Sequence, residues 1–137
     1  MAQNILWKNT IQVDGGLNIS FVRSIEVEAY DSISVEIEGS DDDEGADSGK
    51  EIEIQPGEDA GQVKFIAIIS DRYDENLTYK VNDNEVATSA HELNQPHVLA
   101  GEGAVGIMDA APQSLFFTSG IAENANVSIL VGRDATP

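Results

Sequence analysis

The chain has no cysteine, which removes a disulfide framework, a thiolate metal site and a cysteine nucleophile at one stroke. Basic residues are scarce: 7 Lys and Arg stand against 25 Asp and Glu, for a formal net charge of −18. A surface of that sign repels phosphate backbones and anionic lipid, so nucleic acid and membrane are poor partners. It suits cations, basic protein surfaces or a salty medium, and excess acid is also a common solubility device. Aromatic residues make up only 6%, so Trp7, Tyr30, Tyr73, Tyr79, Phe116 and Phe117 signal a sugar-stacking platform faintly. Long apolar runs are missing as well. The longest, Phe65 to Ile69, is far short of the ~20 residues of a membrane span. The opening residues Met1 to Lys8 lack the basic start and long apolar stretch of a signal peptide. The expected location is the cytoplasm as synthesised, or a virion for a phage-encoded chain. The sequons at Asn18, Asn76 and Asn126 then read as chance in an asparagine-rich chain.

What the chain does have is period-two alternation. It is 137 residues long and 41% hydrophobic, the size of one domain with a core of its own. From Ile25 to Ile37 the odd positions are mostly apolar and the even ones mostly Glu and Ser, interrupted at Tyr30-Asp31. That predicts one long bent strand, or two with a kink there. Glu51 to Ile54 repeats the pattern, and Val63 to Ile69 is apolar on both faces, as a covered central strand would be. Leu77-Tyr79-Val81, Val105-Ile107, Leu115-Phe117 and Val127-Ile129-Val131 complete the predicted strands. Asp14-Gly15-Gly16 is a hairpin turn, since glycine supplies the positive φ that primed turns need. Gln55-Pro56-Gly57, Val81 to Glu85 and Ser119-Gly120 mark further turns. No window of eleven or more residues has helical periodicity; Ser70 to Asn76 and Thr88 to Asn94 allow a turn or two. About ten short strands predict a single-domain all-β fold over residues 1–137, an antiparallel sandwich of jelly-roll type or a barrel.

The densest charge lies in the loop carrying Asp41-Asp42-Asp43-Glu44 and Asp47. Were the strands on either side of it a hairpin, Glu36 and Glu38 would share a face with Glu51 and Glu53, at a cost of roughly 0.2–1 kcal/mol per like-charged pair. Bound cations, salt or a basic partner would relieve it; an edge protected by charge is the plainer account. On calcium-loop spacing, Ser40, Asp42, Glu44, Gly45 and Glu51 fall at the first, third, fifth, sixth and twelfth places. Serine replaces the expected first aspartate, and strands replace the flanking helices. The residual metal expectation is a looser calcium site on Asp41, Asp42, Asp43, Glu44 and Asp47.

Other motifs carry less. Gly101 to Gly106 has dinucleotide-turn spacing, but Pro112 follows too soon for the long helix that turn needs, and Glu102 opposes phosphate. Its glycines are expected in tight turns between strands. His91 and His97, with Glu92 and Asp109 nearby in sequence, match no zinc spacing. No serine sits in a nucleophile elbow, and carboxylates are too numerous to single out a glycosidase pair. The expectation is therefore no enzyme and no required cofactor.

The ends carry contact candidates: Ile5, Leu6 and Trp7 in an N-terminal segment (1–10), and Arg133 in a C-terminal one (132–137). In general character the chain looks like the small β-rich accessory proteins of bacteriophage particles that decorate a capsid or cap a tail. That resemblance of style implies a homo-oligomeric structural protein, with itself and a larger protein assembly as partners. The competing expectation is a calcium-dependent module that binds carbohydrate or another ligand.

Overall fold

A computed structural model describes residues 3–55 and 61–134. β1 (Gln3–Gln12) and β2 (Asn18–Val27) form an antiparallel ribbon in unbroken register from Gln3↔Val27 to Gln12↔Asn18. The glycines make its turn. Gly15 takes a φ of 70°, Val13 N–H donates to Leu17 O, and Gly16 N–H donates to Val13 O.

Eight further strands among the described residues make two four-stranded sheets. One has the order β3 (Ala29–Ile37), β10 (Ala125–Arg133), β5 (Val63–Ser70), β8 (His97–Ala100). The other has the order β4 (Ser48–Glu53), β9 (Ser114–Ser119), β6 (Leu77–Val81), β7 (His91–Glu92). The antiparallel pairings nest: β3 with β10, β4 with β9, β5 with β8 and β6 with β7. The β5–β10 and β6–β9 pairs complete the sheets. This is the connectivity of an eight-stranded jelly roll.

Alternation explains the core. Side chains two apart share a face, so β10 turns Val127, Ile129 and Val131 inward, and β5 adds Ile66 and Ile68. Leu77, Tyr79, Leu115 and Phe117 meet them from the facing sheet. Each fully buried large apolar side chain contributes ~1.5–3 kcal/mol over exposure, so this layer is the main stabilising element. β5 lies between β10 and β8, a central strand as its two apolar faces predict, and its outward Phe65 is covered by Trp7 of the ribbon.

Four sequence expectations need correction. The long alternating stretch breaks at Glu28, not at Tyr30-Asp31. There the chain passes from the ribbon to the body, with Glu28 N–H donating to Arg133 O. β3 and β4 are not a hairpin: they lie in different sheets, so Glu36 stands opposite Asn126 while Glu51 stands opposite Phe116. The segment around Val105-Ile107 is no strand but α1 (Glu102–Met108), and its glycines are not strand turns. At seven residues it is too short to leave a periodic signal, and it is fixed by burial of Val105 and by the Lys64–Glu102 ion pair. Finally, within Thr88 to Asn94 the chain forms β7 in place of a helical turn. Most of the Gln55-Pro56-Gly57 turn and the last three residues of segment 132–137 lie outside the described residues. No helix among the described residues is long and apolar enough to cross a membrane.

Candidate functional site

The ribbon is the most unusual surface. Its register places Ile5, Trp7, Ile11, Ile19, Phe21, Ile25 and Val27 on one face, while the other is mostly Asn, Ser, Thr and Lys around Leu6 and Val22. The base of the apolar face is seated on the body. Trp7 meets Phe21 edge-on at 4.9 Å between ring centroids and Phe65 at 6.3 Å. Gly132 of β10 permits this close approach, because a Cβ there would lie 2.9 Å from Val27 Cγ1 and strike Ile5. The outer half has no such seat. Every residue from Thr10 to Ser20 is exposed, including Ile11 at 52%, Val13 at 58%, Leu17 at 65% and Ile19 at 47%. Among the described residues β1 and β2 pair only with each other, so both present backbone edges that no described strand covers.

Of the contact residues expected from sequence, Leu6 is exposed on the polar face, whereas Ile5 and Trp7 are half-buried at the base. Arg133 is occupied within its own chain, donating from Nε to Asp31 Oδ2 at 3.2 Å. Sequence reasoning named the start of the ribbon and missed its outer half. The signal was present as apolar residues on both sides of Asp14-Gly15-Gly16, which looked like an ordinary half-buried hairpin.

The acidic loop is held by hydrogen bonds of its own and by others to residues 121–124. Asp42 accepts Glu44 N–H at 3.0 Å and Asn124 Nδ2 at 3.1 Å, which holds its carboxyl below the ordinary carboxylate range. Asp47 accepts Glu38 N–H at 2.8 Å and lies 3.6 Å from Lys50 Nζ. Gly39 N–H donates to Asn124 Oδ1, and Ser40 and Asp41 N–H donate to the Ile121 and Ala122 carbonyls. Asp41, Asp42 and Asp43 share a shallow recess with Arg72, whose positive charge competes with a cation there. Among the described residues, only Asp42 of the five expected ligands joins a compact donor group, and its companions are Glu36 and Glu38, with oxygens within 4.8 Å of one another. Partial burial and the charges of Asp42, Asp47 and Glu44 push the Glu38 carboxyl upward. The chain brings these three together because β3 runs straight into the loop.

A third feature lies where β7 and β8, the end strands of the two sheets, come together. A recess of about 360 Å³ is lined by Tyr79, His91, Pro96, His97, Val98, Leu99, Ile107 and Met108. Tyr79 is buried in its floor, which pushes its phenol well above the ordinary value and keeps it protonated. Its hydroxyl shares a hydrogen bond with His97 Nδ1 at 2.6 Å. Burial pushes His97 downward against an opposing hydrogen bond to the Glu92 backbone, so a neutral imidazole suits this bond. The ring of His91 lies 5.3 Å from that of Tyr79. The fold thus unites two histidines whose spacing carried no message, but around a tyrosine: neither Glu92 nor Asp109 lines the recess. The result is an apolar seat with one satisfied polar pair.

No known family model, curated protein or solved structure matches this chain.

Proposed function

We propose that the chain is a non-enzymatic structural protein acting by protein–protein contact in a larger assembly, with the β1–β2 ribbon as its contact element. One observation carries this reading. The ribbon's apolar face continues beyond the body that covers its base, leaving Ile11, Val13, Leu17 and Ile19 exposed. A two-stranded ribbon is marginal in water by itself, and an exposed apolar patch of this kind marks an interaction site. Jelly rolls serve viral capsids, lectins and cupins alike, so connectivity does not choose among contact, sugar binding and catalysis. The free ribbon favours contact, and an accessory protein of a bacteriophage particle, decorating a capsid or a tail, is the specific form of the reading.

The test is density-gradient sedimentation of particles from the source. The full chain is expected to travel with large particles, and a chain with residues 10–20 replaced by an Asn-Gly turn to remain with free protein. A full chain found only at the top of the gradient would overturn the reading.

The convergence of Glu36, Glu38 and Asp42 favours a second reading, a calcium-dependent module for carbohydrate or another ligand. Calcium takes six to eight oxygens, so ligand and water would complete the shell. An ion held only by the folded state raises the melting temperature by mass action. An unchanged melting temperature in millimolar calcium at constant ionic strength removes this reading.

A further inference from the structure

We propose that the outer half of the ribbon docks on a second copy of this chain, in the apolar recess between β7, β8 and α1. The inference rests on the contact reading above and names its partner. Charge supplies the first argument. The ribbon, residues 3–27, carries Lys8 and Arg23 against Asp14 and Glu26, a net charge of zero, whereas residues 28–137 carry 5 basic and 23 acidic residues, a net −18. Two bodies of that charge repel each other, and the ribbon is the one extended element that a neighbouring body does not repel. Lys8 and Arg23 are both exposed beside the docking half, whose one charged residue is Asp14.

Chemistry supplies the second argument. The ribbon offers β-branched and leucine side chains that lack a cover, and the recess offers Pro96, Val98, Leu99, Met108 and an Ile107 that is 81% exposed. Backbone supplies the third. Among the described residues β8 pairs only with β5 and β7 only with β6, so two strand edges unpaired by any described strand flank the recess. The ribbon's own free edges are of the kind that add to such a strand. Ribbon into recess is a head-to-tail contact, because the two surfaces differ, and repetition of it gives a ring where the rotation closes.

Purified full-length chain is to be measured by size-exclusion chromatography with light scattering. The expected result is a mass that is a multiple of 14.7 kDa. The double substitution Ile11→Asp with Ile19→Asp, and separately Ile107→Asp, should each weaken association at least ~30-fold, as loss of an interface hot spot does. These side chains are exposed, so circular dichroism melts should match the parent. Mixing the two variants in equal amounts should restore a species of twice the chain mass, since one keeps its ribbon and the other its recess. An Ile107→Asp chain that assembles like the parent, or a mixture that stays monomeric, overturns the recess as the seat. A monomeric parent that still sediments with large particles overturns the second copy and leaves the contact reading standing. A monomeric parent that sediments as free protein sinks both.

Discussion

Gly39 and Gly103 are both glycines, and their surroundings assign them opposite roles. A Cβ on Gly39 would overlap the carbonyl oxygens of Ala122 and Glu123, which are backbone and cannot swing aside. Gly39→Ala should therefore destabilise the fold by about 1–3 kcal/mol, the usual cost of overpacking, and loosen the acidic loop that Gly39 anchors through Asn124. A Cβ on Gly103 meets nothing within 4 Å, and the residue is exposed inside α1. There alanine should stabilise by about 0.5–1 kcal/mol, because glycine loses more chain entropy on entering a helix. Urea midpoints of the two variants check both signs together. The Tyr79–His97 pair makes a pH prediction. Burial holds His97 below its ordinary 6.5, so on acidification the unfolded chain takes up the proton first. The contribution of the buried, neutral His97 is whole above about pH 6.5 and is lost as pH falls toward the lower folded value. Glu38 acts oppositely but is raised from 4.5, so its relief comes at more acid pH. The parent should lose stability between pH 7 and pH 5.5. His97→Asn should flatten that slope, while Tyr79→Phe, which leaves Nδ1 unpaired, should cost about 1–3 kcal/mol at pH 7.

At the scale of elements the ribbon is two things joined end to end. Its base is clamped by Trp7, Phe65 and the space at Gly132, while its outer half has only ladder hydrogen bonds exposed to water. Local stability follows buried contacts. Amides of residues 10–20 should therefore exchange hydrogen in dilute protein far faster than those of β5, β9 and β10, and should slow as concentration drives docking. Exchange read by mass spectrometry at two concentrations tests this; equal protection of ribbon and body would show that the outer half is already covered. The same contrast explains what was legible in the sequence. Strands such as Leu77–Val81 and Ser114–Ser119 announced themselves because alternation is local. Pairing is not local: β3 seeks β10 across most of the chain, so the β3–β4 hairpin that adjacency allowed is not the one formed. Sequence distance likewise hid the meeting of His91, His97 and Tyr79, and of Glu36 and Glu38 with Asp42. The helix at Glu102 was concealed by its brevity and by three glycines in Gly101 to Gly106.

Across the whole molecule, acid outnumbers base 25 to 7, and the described ion pairs are few. They are Lys50–Asp47, Lys64–Glu102, Lys64–Asp134 and Arg133–Asp31, each with at least one partly exposed partner. Such pairs are worth about 0–1 kcal/mol each, while the unpaired carboxylates repel one another over the entire surface and disfavour the compact state. Screening weakens both, but there is far more repulsion than attraction to weaken. The Debye length shrinks from ~30 Å at 0.01 M to ~3 Å at 1 M salt, shorter than the spacing between most surface charges. Sodium chloride over that range is therefore expected to raise the melting temperature of the dilute monomer by several degrees, the reverse of a fold held by its surface ion pairs. The ribbon-truncated chain, which loses only Asp14 among charged residues and so carries a net −17, should respond about as strongly. A fall in melting temperature with salt would mean that the few ion pairs, Lys64 with Glu102 and Asp134 foremost, outweigh the repulsion of the rest. The same screening lets two acidic bodies approach, so assembly through the ribbon should tolerate salt that would dissociate a contact made of charge alone.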